Sequence, residues 1–360
     1  MAARLLSLAF HLPQFHTIPE NDRWWGPGFT EWTHMDRARS WFPGHVVRQP
    51  VPPLGRYNLL DPGVVEAQHA LAVAHGIDGF LVWDYWLGGG RRLLDQPVAM
   101  ILRERLKVDY ALAWGNHSWV DQLRGRVLAE QRYLGAEDYA AYFLHCLPHF
   151  RSERYVRVDG KPLFFVYRPE HIPDLAVFVD TWRSLAQRHG LPGLWLVGDN
   201  YRAHTPRPAG FDAYSCGFGF WTNRKKWLLN LLKENLRRRL RIQTSPQRFR
   251  HERLLRDFIP HDATDPFVPT VITGWDTTPR HGRNGVVVEG LTPEVFRDHL
   301  AQVATYVNRQ HSGTRLVLVK SWNEWAEGNL LEPDSVHGDA LLREYGQFAT
   351  TLAMRLAAGG

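Results

Sequence analysis

Leu316-Val317-Leu318-Val319 runs without a polar residue, and Lys320-Ser321-Trp322-Asn323-Glu324-Trp325-Ala326-Glu327-Gly328 follows it at once. An unbroken apolar run of this length predicts a strand buried on both faces, as in a parallel sheet covered by helices. Indole, amide and carboxyl groups crowd in just after it, so the end of this strand is a place for chemistry as well as packing.

The same design recurs on either side. Leu5 to Phe10 leads into His11-Leu12-Pro13-Gln14-Phe15-His16, and Gly79-Phe80-Leu81-Val82 into Trp83-Asp84-Tyr85-Trp86. Tyr110-Ala111-Leu112-Ala113 leads into Trp114-Gly115-Asn116-His117, Pro162 to Val166 into Tyr167-Arg168-Pro169, and Leu194-Trp195-Leu196-Val197 into Gly198-Asp199-Asn200. A weaker run, Phe211-Asp212-Ala213-Tyr214, precedes Ser215-Cys216, and Val268 to Thr273 leads into Gly274-Trp275-Asp276. Helical periodicity fills the gaps: Pro62 to His75 ending at Gly76, Asp174 to His189 ending at Gly190, and Thr292 to Gln310. In the last of these, Thr292 is placed to cap and Pro293 to open the helix.

Strands alternating with helices predict βαβ units and a parallel sheet. Eight strand candidates favour a closed (β/α)8 TIM-type barrel over an open nucleotide-binding sheet, and no Gly-x-Gly-x-x-Gly follows the first strand. A chain of 360 residues accommodates one such barrel, which needs about 250 residues, with insertions. Neither an internal repeat nor a low-complexity linker interrupts it, so residues 1–360 read as a single domain. Pro19 to Asn58, rich in Trp, Pro, Gly and Arg, reads as a long irregular first βα loop. Asn223 to Asp257 reads as a basic insertion before the seventh strand, with Arg237-Arg238-Arg239 and Arg241 beside Trp227 and several leucines. In a barrel of this kind the active site lies at the C-terminal ends of the strands, which is where the polar and aromatic residues of this sequence gather.

Composition narrows the function classes. The formal charge is +6 with 15 tryptophans. The charge points mildly to anionic partners, but no finger, basic zipper or RNP-type motif supports nucleic acid. Cys146 and Cys216, far apart in apolar contexts, read as two buried thiols. The N-terminal apolar run is too short for a signal peptide and reads as the first strand; no stretch approaches the roughly 20 apolar residues of a membrane span. A soluble cytoplasmic protein is the expectation. His11 and His16 lack a metal-site pattern around them, and no Gly-x-Ser-x-Gly elbow occurs, so neither a metal, a cofactor nor a serine nucleophile is expected.

Glu324 and Glu327 stand three residues apart. If the segment opens a helical turn, their carboxyls share a face. Two close carboxyl groups suit glycosidic cleavage, one giving a proton to the leaving oxygen and the other supplying or activating a nucleophile. Mutual repulsion then keeps one of them protonated near neutral pH. The competing reading is an exposed acidic first turn favoured by the helix dipole.

Longer motifs weigh against that competitor. Trp322 to Gly328 with Leu331-Glu332-Pro333 resembles the signature of WbsX-like proteins, relatives of glycoside hydrolase family 99. So do Leu12-Pro13-Gln14-Phe15-His16 with Ile18-Pro19-Glu20-Asn21-Asp22, and Trp24-Trp25-Gly26 with Gly28-Phe29-Thr30-Glu31-Trp32. Gly76-Ile77-Asp78-Gly79-Phe80, Arg92-Leu93-Leu94, Val158-Asp159-Gly160-Lys161-Pro162 and Gly274-Trp275-Asp276 with Thr278-Pro279-Arg280 extend the likeness over nearly the whole chain. The resemblance implies a (β/α)8 barrel and retaining, endo-acting cleavage of α-mannosides in which the substrate's own 2-hydroxyl attacks the anomeric carbon. It assigns deprotonation of that hydroxyl to Glu324 and the acid, then base, role to Glu327. Spacing alone does not say which glutamate does which job.

The sequence also departs from the pattern. Ala326 stands where the hydrolases commonly have His, His117 replaces an acidic residue, and His11 replaces a Tyr. These changes bear on the substrate more than on the reaction class. Candidate substrate-binding residues are Gln14, His16, Trp83, Tyr85, Trp86, Trp114, Asn116, His117, Tyr167, Arg168, Trp275, Asp276, Trp322 and Asn323, each also open to a purely structural role. The expected partner is an oligo- or polysaccharide. The basic 224–256 segment offers a peripheral contact with an anionic membrane, or simply a solvated helix face. The leading function is a retaining glycoside hydrolase-like enzyme. Its rivals are a glycosyltransferase or transglycosidase in surface-polysaccharide assembly and a catalytically silent glycan-binding barrel.

Overall fold

The computed structural model describes residues 3–121, 124–199, 209–216, 245–255, 259 and 266–358. The apolar runs become barrel strands β1 (Arg4–His11), β2 (Gly79–Trp86), β3 (Tyr110–Trp114), β4 (Lys161–Val166), β5 (Trp195–Asp199) and β6 (Ala213–Ser215). They are followed by β7, in two pieces (Phe267–Val268 and Thr270–Val271), and β8 (Thr314–Val319). Each strand pairs in parallel with the next, and β8 closes the ring by pairing with both β7 (Val271↔Val319) and β1 (Leu6↔Leu316). Pro269 splits β7 because it has no N–H to give to the ladder, although its carbonyl still accepts from Leu318 N at 3.0 Å. The TIM-type barrel expected from the sequence is thus the fold.

The helices are α1 (Pro19–Trp25), α2 (Glu31–Asp36), α3 (Pro62–Ala74), α4 (Gln96–Arg103), α5 (Ala136–Arg151), α6 (Leu175–Arg188), α7 (His251–Leu255), α8 (Thr278–His281), α9 (Pro293–Val307) and α10 (Ala340–Ala358). Thr292 caps α9 by accepting from Val295 N at 3.3 Å, with Pro293 at its first position, as the sequence predicts. Gly76 ends the turn after α3 with φ +78°, and a Cβ there would lie 2.5 Å from that of Ala349 on α10. Only glycine combines that conformation with that approach.

Inward and outward side chains alternate along each strand. Phe10 of β1 stacks on Trp83 of β2 at 4.8 Å and meets Phe165 of β4 edge-on at 4.9 Å. Strands β1 and β4 are not neighbours, so this contact crosses the barrel interior, which is packed and not a pore. On the outer face Phe164 meets Trp182 of α6 at 4.5 Å, and Trp114 meets Tyr142 of α5 at 5.2 Å. Cys146 of α5 and Cys216 are both buried thiols.

The first connection differs from the irregular loop expected. It contains α1 and α2, and Thr30 N donates to Thr33 Oγ1 at 3.1 Å at the start of α2. Trp32 packs in a small aromatic core with Phe15 and Tyr57 (4.7 and 5.1 Å) and reaches Trp325 at 6.1 Å. Gln247–Arg250, which precedes β7, joins Val286–Glu289 and Trp275–Asp276, which follow it, in a small separate sheet, and α8 follows Trp275–Asp276. Of the basic 224–256 segment, expected above as a membrane contact or a solvated helix face, residues 224–244 and 256 lie outside the described residues. Within its described part, Arg248 is engaged by Glu289 through two bonds of 2.9 Å. Among the described residues no helix is long and apolar enough to cross a membrane.

Candidate active site

Beyond β8 the chain does not enter an α-helix. Asn323–Glu324 pairs antiparallel with Asn329–Leu330, and a 3-10 turn, Trp325–Glu327, joins them. The turn that carries the two glutamates is a single 3-10 turn within a tight hairpin, in which residues three apart are nearly eclipsed. Ser321 Oγ accepts from the N–H groups of Asn323 and Glu324 at 3.1 and 3.0 Å and fixes the entry. Gly328 leaves the turn at φ +55°, and a Cβ on it would lie 2.7 Å from Asp276 Cβ. This close approach seats the turn on the segment after β7.

The turn brings Glu324 and Glu327 into electrostatic contact. Burial, and then the charge of Glu327, raise the Glu324 carboxyl to about 7, against the pull of Lys320 and Arg280. Arg280 of α8 donates through Nη1 to Glu327 Oε1 at 2.5 Å and through Nη2 to Glu31 Oε1 at 2.8 Å. Burial works against its charge, but Glu31, Glu327 and Glu324 together more than offset this and raise its pKa. Glu31 is fully buried, and its Oε1 also accepts from Ala326 N in the turn at 3.2 Å. Lys320, buried at the end of β8, is lowered by desolvation, opposed by Glu324, Glu327 and Asp199. Its Nζ stands 5.8 Å from the ring centre of Trp275 and 5.8 Å from that of Phe10.

Several expected site residues gather around this cluster. Tyr85 is inward on β2, and burial followed by the charge of Glu324 raises its phenol. His117 sits between Tyr85 and Tyr167 at 6.4 and 5.3 Å. Burial, Arg168 and His171 push it down to about 4, so it is neutral at physiological pH. Arg168 lies over the Tyr167 ring at 4.9 Å. Trp83 stands deeper in the barrel, edge-on to Tyr167 at 5.6 Å. Asp276 accepts from Thr278 N at 2.9 Å and is 3.0 Å from His45 Nε2.

Others hold the scaffold. Trp86 points outward, stacks on Tyr142 at 4.9 Å and donates to Asp138. Trp114 also faces the helices and donates to Trp86 O at 2.9 Å. Trp322 packs on Phe80 at 5.6 Å. Asn323 clasps the Leu12 backbone through both ends of its amide, at 2.7 and 3.1 Å. Asn116 holds the Arg168 backbone in the same way, at 2.8 and 2.8 Å. His16 folds back on Pro13 O at 2.9 Å, and Gln14 contributes its carbonyl to Glu31 N at 2.9 Å.

Glu31, Arg280 and Lys320 were not among the expected site residues. Their signal was present: Glu31 and Arg280 sit in two of the motifs quoted above, and Lys320 ends an otherwise apolar run, where a buried cation needs a partner. Among the described residues no group of three His, Cys, Asp or Glu is placed to hold a metal ion.

A closed parallel barrel with acid side chains gathered at the C-terminal end of its strands is a (β/α)8 barrel with its candidate site at the end where such barrels carry theirs. The endo-alpha-mannosidase of family GH99 from Bacteroides thetaiotaomicron superposes with a TM-score of 0.58 over 98% of both chains, at 15% identity. A second structure of that enzyme, in complex with BIS-TRIS propane, gives 0.56 over 99% of both at 14% identity. A protein described as glycoside hydrolase-like gives 0.57 over 97% of this chain and 94% of its own, at 14% identity. At these identities the likeness is one of fold. The chain belongs to the family described as Glycosyltransferase WbsX, whose model matches residues 7–345. Uncharacterized protein WxcX from two strains of Xanthomonas campestris pv. campestris is 34% and 33% identical over 342 residues, 93% of this chain. The chain spans 48% of the length of those relatives.

Proposed function

We propose that the chain cleaves an α-mannoside or a related polysaccharide with retention, using Glu324 and Glu327 as its acid/base pair and the substrate's 2-hydroxyl as internal nucleophile. The observation that carries this reading is the pair of carboxyls on one tight turn at the mouth of the barrel, one raised to about 7 and the other bonded to Arg280. Such an asymmetric pair supplies a proton donor and a proton acceptor at the same pH. The endo-α-mannosidase activity of the structural neighbours supports the choice of sugar. Tyr85, His117, Tyr167, Arg168 and Asp276 then form the walls that meet the glycan, with Trp83 and Trp275 beneath them. Ala326, small and buried, stands where the resemblance puts the hydrolases' His, a difference that bears on the sugar accepted.

The test is a screen of wild type and Glu327→Gln on α-mannans and bacterial surface polysaccharides, read by reducing-end release and product mass. Cleavage by wild type that the variant lacks supports the hydrolase. The family's description favours a second reading, transfer in surface-polysaccharide assembly, which predicts lengthened products when an acceptor glycan and an activated sugar donor are supplied. Glycan binding with no product in either assay leaves the silent binding barrel.

A further inference from the structure

At the ends of β3 and β4 the wall of the site holds one cation still. Arg168 precedes Pro169, which restricts it to extended backbone, and its φ of −136° conforms. Pro169 opens a 3-10 turn that brings His171 N to Arg168 O at 3.0 Å. Asn116 clasps the same residue, accepting from Arg168 N and donating to Arg168 O, both at 2.8 Å. Tyr133 fixes Asn116 in turn: Asn116 Nδ2 donates to Tyr133 Oη at 3.1 Å, and that hydroxyl donates to Asn116 O at 2.9 Å. The guanidinium lies 4.9 Å over the Tyr167 ring and gives Nη2 to Tyr167 Oη at 3.3 Å. Its planar fork carries several N–H donors and serves more than one partner.

The potential along this wall is positive. Burial, Arg168 and His171 lower His117, and burial and Arg168 lower His171. The acids acting against them are Glu327 on His117 and Glu170 on His171. Glu327 is bonded to Arg280, and Glu170 is exposed to solvent, where its field is screened. His117 lies 6.4 Å from Tyr85, whose phenol is raised by burial and the charge of Glu324. The wall therefore borders the turn that carries the two glutamates.

We propose that the glycan taken by this site is acidic, and that Arg168 binds a carboxylate or phosphate on the sugar lying against Tyr167. This deepens the glycan reading above and rests on it. The guanidinium fork meets two oxygens of one anionic group at once, a match that a single hydroxyl does not offer. Clasping the backbone through Asn116 and laying the side chain on Tyr167 reduce the ordering cost of that contact. His117, neutral at physiological pH, borders the same sugar without adding a second charge. A uronic acid supplies the carboxylate, and a sugar phosphate supplies the other form of the same chemistry.

Calorimetric titration with matched glycans tests this. One pair is oligosaccharides of a uronic-acid-containing bacterial polysaccharide, before and after reduction of their carboxyls to primary alcohols. The other is α-mannan oligosaccharides bearing phosphomonoesters, before and after phosphatase treatment. Each pair keeps its linkages and loses its charge. Wild type should hold an acidic member about 10-fold or more tighter than its neutral twin, the worth of a bidentate charged bond, and the difference should shrink as salt rises. The pair that shows it tells carboxylate from phosphate. Arg168→Gln should bring the acidic member down to the level of its twin and leave the twin unchanged, while Arg168→Lys keeps part of the difference. Acidic members held no tighter than their twins by wild type in both pairs overturn the proposal. So does an Arg168→Gln that weakens both members of a pair alike, the mark of a scaffold role. Should Arg168→Gln not fold, wild type and Arg168→Lys on the same pairs carry the comparison. Binding is read without turnover, so the two readings fail separately. Acid preference with no glycan cleaved sinks the hydrolase and leaves this proposal standing, and cleavage of neutral α-mannan with no acid preference does the reverse.

Discussion

Trp325 Nε1 donates to Glu332 Oε2 across 2.6 Å, tying the indole that sits between the two candidate catalytic glutamates to a buried acid behind them. The same carboxyl accepts from Tyr57 Oη at 2.9 Å and Gln68 Nε2 at 2.7 Å. Burial lifts Glu332 to about 7 despite these donors. Glu332→Ala leaves buried donors unmatched and should cost about 3 kcal/mol, given roughly 1–3 for each group stranded. Glu332→Gln, which keeps the shape and part of the bonding, should cost less. Denaturant unfolding measures both, and a larger loss in Glu332→Gln than in Glu332→Ala would refute the bonding account.

Lys320 is the cation at the floor of the site. Replacing it with Met removes a charge that lowers the Glu324 pKa, so the Glu324 titration should move to higher pH. Any limb of an activity profile that reports Glu324 moves the same way. A limb that stays in place while the protein remains folded would show that Lys320 does not act on Glu324.

Acid should destabilise the fold. Burial lowers His11, His117, His149 and His251 to about 4 and His34 and His299 to about 3. Between about 6.5 and 4 the unfolded chain binds protons at these histidines that the folded chain does not, so stability is lost as pH falls through that window. Glu324 and Glu332, both raised to about 7, work the other way, holding protons in the folded state that the unfolded chain has released above about 4.5. Six histidines outnumber two glutamates, and each such group changes stability by up to about 1.4 kcal/mol per pH unit. Urea midpoints at pH 7.5, 6 and 5 should fall in that order; a midpoint that rises on acidification would contradict the burial of these imidazoles.

Gly76→Ala should destabilise the protein by about 1–2 kcal/mol for its left-handed backbone alone, with a further cost from the contact with Ala349. Ala349→Gly in the same chain should recover the contact and not the backbone share. Full recovery in the double variant would show that φ at residue 76 relaxes.

The barrel was legible because its strands are continuous apolar runs whose polar residues follow their C-terminal ends, as Leu316–Val319 and Gly79–Val82 show. The carboxyl pair was legible because Glu324 and Glu327 share one short motif. The facing of the aromatic residues was not. All eight residues of β2 are buried, so no alternation of polarity distinguishes inward Trp83 and Tyr85 from outward Trp86, and only the helix packed on the outer face does so. The extent of the turn was not legible either: Glu324 pairs with Asn329, and that strand pairing limits the helical turn to three residues.

By itself, then, the sequence determined the barrel, the family and the acid pair, since these depend on local apolar runs and contiguous motifs. The tertiary structure alone decided which charges surround that pair. Arg280 and Glu31 lie 249 residues apart, and the contact between them forms only when the first connection and the segment after β7 fold over the same closed ring. Ion pairing and desolvation act through space, and the distance along the chain carries no record of them.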